Sequence, residues 1–216
     1  MKAPSKINEY VVGGWLLICG GLLLSIACVL IALLPQIPSE QNEILDWIQQ
    51  VKWSLSMSDE LFCFSLPLLV PSIIILYRAT RTVRPISSLI ACSSFMIAAV
   101  GLINVLGAAG RLVYPVNTIS ITADNAVMAA SNLFAGLHFT AIVLAFSIAM
   151  FGYAMHNVKL FIISVAIGIL QLFGTYYAGI TPTWLLVIAV VAFFAWTIIV
   201  GVRLIRQREK HHGDIT

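Results

Sequence analysis

Six apolar runs, at about residues 11–34, 57–77, 85–109, 125–155, 159–178 and 184–205, constrain the folding of this chain more than any other feature. Each is long enough, at the rise of an α-helix, to cross about 30 Å of hydrocarbon. Hydrocarbon offers no partner to a backbone amide, so such runs must bond internally as helices. Hydrophobic residues make up 60% of the sequence and charged residues 10%, and the mean hydropathy is +0.99, values foreign to a soluble domain. About 70 residues remain outside the runs, too few for a separate soluble domain. The expected fold is all-α, one polytopic transmembrane bundle of six helices over residues 1–216.

Basic residues sort by side. With six spans, Lys2, Lys6, Arg78, Arg81, Arg84, Lys159, Arg203, Arg206, Arg208 and Lys210 share one face of the membrane, and only Lys52 and Arg111 fall on the other. Short loops keep Lys and Arg on the untranslocated side, so both termini are expected in the cytoplasm of a cell whose plasma membrane holds the chain. The net charge of +3 then reflects topology and attraction to anionic lipid headgroups, not a nucleic-acid partner. Cys19, Cys28, Cys63 and Cys92 all lie in apolar runs without a CxxC pair, as buried small side chains do, and no disulfide is expected. Lys2 and Lys6 precede an apolar run too long for a cleavable signal, which reads as a signal anchor.

The connecting segments carry more detail. Pro35 and Pro38 end the first span, whose Gly13, Gly14, Gly20 and Gly21 would let neighbouring helices approach closely. From Glu40 to Lys52, the residues Ile44, Trp47, Ile48 and Val51 fall at helical spacing opposite Glu43, Asp46 and Gln50. This predicts a short amphipathic helix, with Trp47 and Trp53 at headgroup level, that either lies along the outer surface or caps the bundle from outside, a lid over a site being the sharper reading. Pro67 and Pro71 predict a kink in the second span. A second outer loop holds Tyr114, Pro115 and the stretch Thr118 to Thr122, after which Asp124 or Asn125 is expected to cap the fourth span. Residues 179–183 are expected to form a tight turn between the last two spans.

Polar groups at membrane depth are costly and therefore informative. Asp59 and Glu60 open the second span, while Asn104 and Arg111 are seven residues apart on one face of the third. Asn125 and Asn132 are seven apart on the fourth, which also carries Ser131 and His138, and Ser164, Gly168, Gln171 and Thr175 stripe the fifth up to Tyr176 and Tyr177. Asp59, Glu60, Asn104, Arg111, Asn132, His138 and Gln171 are thus the candidate ligand-binding residues, in a polar pocket toward the outer half. An ion pair of Arg111 with Asp59 or Glu60 is expected there, since the guanidinium fork suits a carboxylate. The competing reading makes these charges solvated at the headgroups and the amides simple interhelical hydrogen bonds.

No catalytic, metal or cofactor signature accompanies these residues. His138 has no second histidine at its depth, because His156 is about 27 Å further along the same helix, which disfavours haem and transition metals. No lysine inside a span suits retinal, and HExxH and GxSxG motifs are absent. In layout, with a glycine-bearing first helix, a long outer loop, a basic second turn and a close final hairpin, the chain resembles uncharacterised bacterial six-helix membrane proteins of a domain-of-unknown-function type. That resemblance implies a bacterial plasma membrane and carries no active-site residues over. Two functional classes fit: a non-catalytic accessory, regulatory or immunity-type component that packs against another membrane protein or a copy of itself, and a small-molecule receptor or transporter using the outer pocket.

Overall fold

The computed structural model describes residues 8–114, 121–174 and 182–213, the last seven of these by backbone only. Lys2, Lys6, Thr118, Thr175, Tyr176 and Tyr177 lie outside the described residues, as does most of the turn expected at 179–183; nor are the side chains of Arg208 and Lys210 described. The described chain is all-helical. Its helices are α1 (Glu9–Ala32), α2 (Ile44–Thr80), α3 (Pro85–Val113), α4 (Ala123–Ala154), α5 (Val158–Gly174) and α6 (Thr183–Gly213), with one 3₁₀ turn at Gln41–Glu43. Five segments are long and apolar enough to cross a membrane: Glu9–Ala32, Gln41–Thr80, Pro85–Val113, Ala123–Ala154 and Thr183–Arg206; α5 is a shorter apolar helix.

Local chemistry sets the helix ends. Asn8 caps α1 by accepting from the Tyr10 amide at 3.0 Å, and Pro85 takes the first position of α3, where its missing N–H costs nothing. The cap of α4 is Thr122 in place of Asp124 or Asn125: with extended backbone, its hydroxyl accepts from the Asn125 amide at 3.4 Å. Asp124 lies inside the first turn, where its carboxylate accepts from the Gln41 side-chain amide. Between α4 and α5, His156 takes a left-handed φ of 50° and Asn157 accepts from the Leu160 amide at 2.9 Å, so three residues turn the chain.

The amphipathic segment is helical as expected, but it is continuous with the second span and not a separate short helix. Residues 44–52 are the first turns of α2, which runs for 37 residues and continues through Pro67 and Pro71 as one helix. Its apolar stripe faces protein: Ile44, Trp47, Ile48 and Val51 are buried, and the Trp47 indole donates to the Pro35 carbonyl at 3.1 Å. Trp53, by contrast, is 68% exposed. Nothing between Val51 and Met57 breaks a helix, so the segment runs on into the span with its apolar stripe buried against protein.

Each helix packs against the next, and α1 closes on α6, so the six form a ring, with α2 also touching α4. Packing follows a seven-residue rhythm. On α2, Leu55, Phe62, Leu69 and Leu76 alternate with Ser58, Ser65 and Ser72, all almost fully buried, as in coiled-coil seams. On α1, Gly13 and Gly20 lie against Ile75 and Leu69 of α2, while Gly14 and Gly21, one position on, lie against Gly201 and Thr197 of α6. The close approach expected of these glycines is thus present on two faces. The cysteines are free, but Cys19 and Cys63 are exposed on outward faces and not buried as expected; only Cys28 and Cys92 are partly covered.

Polar contacts identify the two ends of the ring. At one, Arg78 pairs with Glu9 at 3.0 Å, Arg84 reaches Tyr153 and His156, and Arg203 and Arg206 line a cavity with Thr80 and Met155. At the other, Tyr114 meets Ser56 and Glu60, and Gln41 meets Asp124. Lys52, near the start of α2, and Arg111, near the end of α3, belong to this second end, so the described basic residues sort by end as the sequence indicates.

Candidate functional site

Between α3 and α4 an open cleft of about 600 Å³ runs along the side of the bundle toward its second end. Asn104, Gly107 and Arg111 line one wall, at spacings of three and four that keep them on one helix face. Asn125, Met128 and Asn132 line the other by the same rule. Three of the seven candidate residues, Asn104, Arg111 and Asn132, are therefore brought together, and Asn125 joins them.

The cleft opens outward, away from the ring's interior. Its apolar walls are largely exposed, with Val100 at 66%, Ile103 at 59% and Met128 at 60%. Asn104 and Asn132 are exposed as well, and no hydrogen bond ties either carboxamide to another described residue. A Cβ added at Gly107 would meet nothing within 4 Å, so the floor of the cleft is open beside these amides.

Arg111 makes no ion pair with Asp59 or Glu60; among the described residues the one ion pair within 4 Å is Arg78 with Glu9. Helix geometry gives the reason. Gly110 is the residue of α3 that faces Asp59, whose Oδ2 would lie 3.8 Å from a Cβ there, and the next residue is rotated about 100° away, onto the cleft. Glu60 has a different partner: its Oε1 accepts from the Tyr114 hydroxyl at 3.0 Å, and the Ser56 hydroxyl is 2.9 Å from the same oxygen of Tyr114. Asp59 and Glu60 thus belong to the α2–α3 seam, and the cleft carries a cation without a carboxylate.

The other two candidates lie elsewhere. His138 is half-buried further along α4, outside the cleft lining. Gln171 is buried inside the ring and donates to the Ala189 carbonyl of α6, while Ser164, earlier on the same stripe, accepts from the Trp196 indole at 2.9 Å. The α5 stripe is thereby used in interhelical hydrogen bonding. Among the described residues, no three His, Cys, Asp or Glu side chains gather where a metal could be held. Gly107, which the sequence places beside Asn104 and Arg111 on a face of small residues, gives the cleft its floor, whereas the sequence reading missed Ser25 and Thr140 inside the ring.

The chain matches no family model, no curated protein and no solved structure.

Proposed function

We propose that the chain is a multi-pass protein of a bacterial plasma membrane, with both termini cytoplasmic, and that it acts as a non-catalytic accessory, regulatory or immunity-type component by taking a transmembrane helix of another membrane protein into the α3–α4 cleft. The orientation rests on the basic end, because Arg78, Arg81, Arg84, Lys159, Arg203 and Arg206 would all be retained in the cytoplasm. The bundle is then a rigid scaffold, and its outward face is the working surface.

One observation carries the docking reading: Asn104 and Asn132 are exposed on the flank of the bundle with no partner among the described residues, at a depth where lipid tails would be the solvent. An acyl chain cannot bond an amide, whereas a helix with small or polar residues can do so and can approach closely over Gly107. From Val100 to Arg111 the cleft extends about 16 Å, or three helical turns, enough for several such contacts. Arg111 at its outer end is placed to meet an acidic residue or a C-terminal carbonyl of the incoming helix.

A photo-crosslinking residue placed at Ile103 tests this in native membranes. The expected product is an adduct with one other membrane protein that Gly107→Leu abolishes while leaving the thermal stability of the purified chain unchanged. An adduct of twice the chain's own mass would make the occupant a second copy. Adducts with lipid alone, together with a melting temperature raised by one compound of a metabolite panel and restored by Asn132→Ala, would replace docking with the receptor or transporter reading.

A further inference from the structure

Inside the ring, distinct from the lateral cleft, lies a cavity of about 40 Å³ lined by Ser25 and Cys28 of α1, Leu102 of α3, Thr140 of α4, Gln171 of α5 and Phe193 of α6. Two of its hydroxyls stand apart from the rest of the protein. Ser25 is 7% and Thr140 4% exposed, yet among the described residues neither hydroxyl oxygen has a hydrogen-bond partner. A buried helical serine or threonine ordinarily folds back on a carbonyl of its own helix. Ser58, Ser65, Ser72, Thr80, Ser88, Ser94 and Thr197 all do so, Ser147 reaches the Ala91 carbonyl, and Ser164 holds the Trp196 indole. The two residues whose buried hydroxyls do neither line the same cavity.

Gly101 helps to keep Thr140 in this state. A Cβ there would stand 2.5 Å from the Thr140 hydroxyl oxygen, so the glycine leaves the hydroxyl room without offering it a partner. Leucine, alanine, valine and phenylalanine make up most of the remaining wall, and no charged residue lines it, so an ion would be neither paired nor solvated there. An uncharged hydrogen-bonding occupant meets both conditions. At roughly 15 Å³ per molecule, the space holds two or three waters.

We propose that this cavity is a binding site for two or three ordered water molecules that join Ser25 on α1 to Thr140 on α4. These helices are not neighbours around the ring, so the waters supply a cross-brace that direct packing does not. Gln171, whose Nε2 donates to Ala189, borders the same space and fixes its α5 wall.

Thermal unfolding of the full chain in detergent reads the brace through Ser25→Ala, Thr140→Val and the double variant. Each single substitution is expected to lower the melting temperature by about 2–4 °C, and the double variant by clearly less than the sum, because both hydroxyls hold one cluster. If either substitution leaves the melting temperature unchanged or raises it, the hydroxyls are dry and the proposal falls, since an apolar isostere relieves an unbonded group. Density is the second measurement, independent of how the variants fold. A map that resolves water elsewhere in the protein is expected to show peaks within hydrogen-bonding distance of both Ser25 Oγ and Thr140 Oγ1, and a featureless cavity in such a map would overturn the site.

Discussion

Gly14 and Gly201 meet backbone to backbone: a Cβ on Gly14 would stand 2.5 Å from the Gly201 carbonyl oxygen, and a Cβ on Gly201 would stand 2.8 Å from that of Gly14. The contact is reciprocal, so neither helix can yield by turning a side chain, and α1 and α6 must separate to admit even a methyl group. Gly201→Ala is expected to destabilise the bundle by about 1–3 kcal/mol, the usual cost of overpacking. Gly107→Ala, with open space around it, is expected to change stability by less than about 0.5 kcal/mol. Thermal unfolding of the two variants side by side checks the contrast, and equal losses would show that the α1–α6 crossing is not the tight one.

Arg84 does more than mark the basic end. Its Nη1 donates to the Tyr153 carbonyl at 3.0 Å, its Nη2 lies 3.1 Å from His156 Nδ1, and its guanidinium carbon sits 3.8 Å above the centre of the Tyr153 ring. A planar fork makes these three contacts at once, and an ammonium cannot. Arg84→Lys preserves the topogenic charge but is expected to cost about 0.5–1 kcal/mol, the scale of an exposed cation–π contact. The exposed Arg78–Glu9 pair is the comparison, and Glu9→Gln is expected to cost no more than about 0.5 kcal/mol. If Arg84→Lys proved silent in chemical or thermal unfolding, Arg84 would act as a charge alone.

How far the sequence could be read depended on whether a feature lay within one helix or between two. The apolar runs, Pro85 at the start of α3 and the sorting of basic residues are single-chain signals, and each has its counterpart in the structure. The i, i+7 pairs Asn104–Arg111 and Asn125–Asn132 likewise sufficed to put these residues on shared faces, and the faces meet in one cleft. Which neighbour a face meets depends on helix rotation, and there the reading failed. Arg111 was expected beside Asp59 or Glu60, but Gly110 faces Asp59 and Tyr114 holds Glu60. The seven-residue rhythm of small residues, as in Ser58, Ser65 and Ser72, held the missing information, because it defines the packed face of each helix. Ser25 and Thr140 gave no sign of their isolation, since most hydroxyls in helices bond their own backbone.

Trp47 and Trp53, six residues apart on one helix, have opposite environments, and their variants should behave accordingly. Trp47 is buried and its indole donates to the Pro35 carbonyl at 3.1 Å, tying the start of α2 to the chain that leaves α1. Trp47→Phe is expected to cost about 1 kcal/mol or more, because the carbonyl loses its donor where the aromatic packing is largely retained. Trp53→Phe is expected to change stability little in detergent, its ring being exposed. Were the segment an interfacial helix, both tryptophans would be equivalent. Comparable effects of the two variants on unfolding would therefore restore that picture.

The α2–α3 seam offers the sharpest choice between partners for Glu60. Tyr114 donates to Glu60 Oε1, which leaves Ser56 to donate to the tyrosine oxygen, so a residue at the end of α3 clips two successive turns of α2. Arg111, three residues earlier, points instead into the lateral cleft. A double-mutant cycle of Tyr114→Phe with Glu60→Gln is expected to show a coupling of about 0.5–1.5 kcal/mol in thermal unfolding. The cycle of Arg111→Ala with Glu60→Gln is expected to be additive. Coupling in the second cycle and none in the first would move Arg111 out of the cleft and onto the carboxylates, and the cleft would lose the cation that marks its outer end.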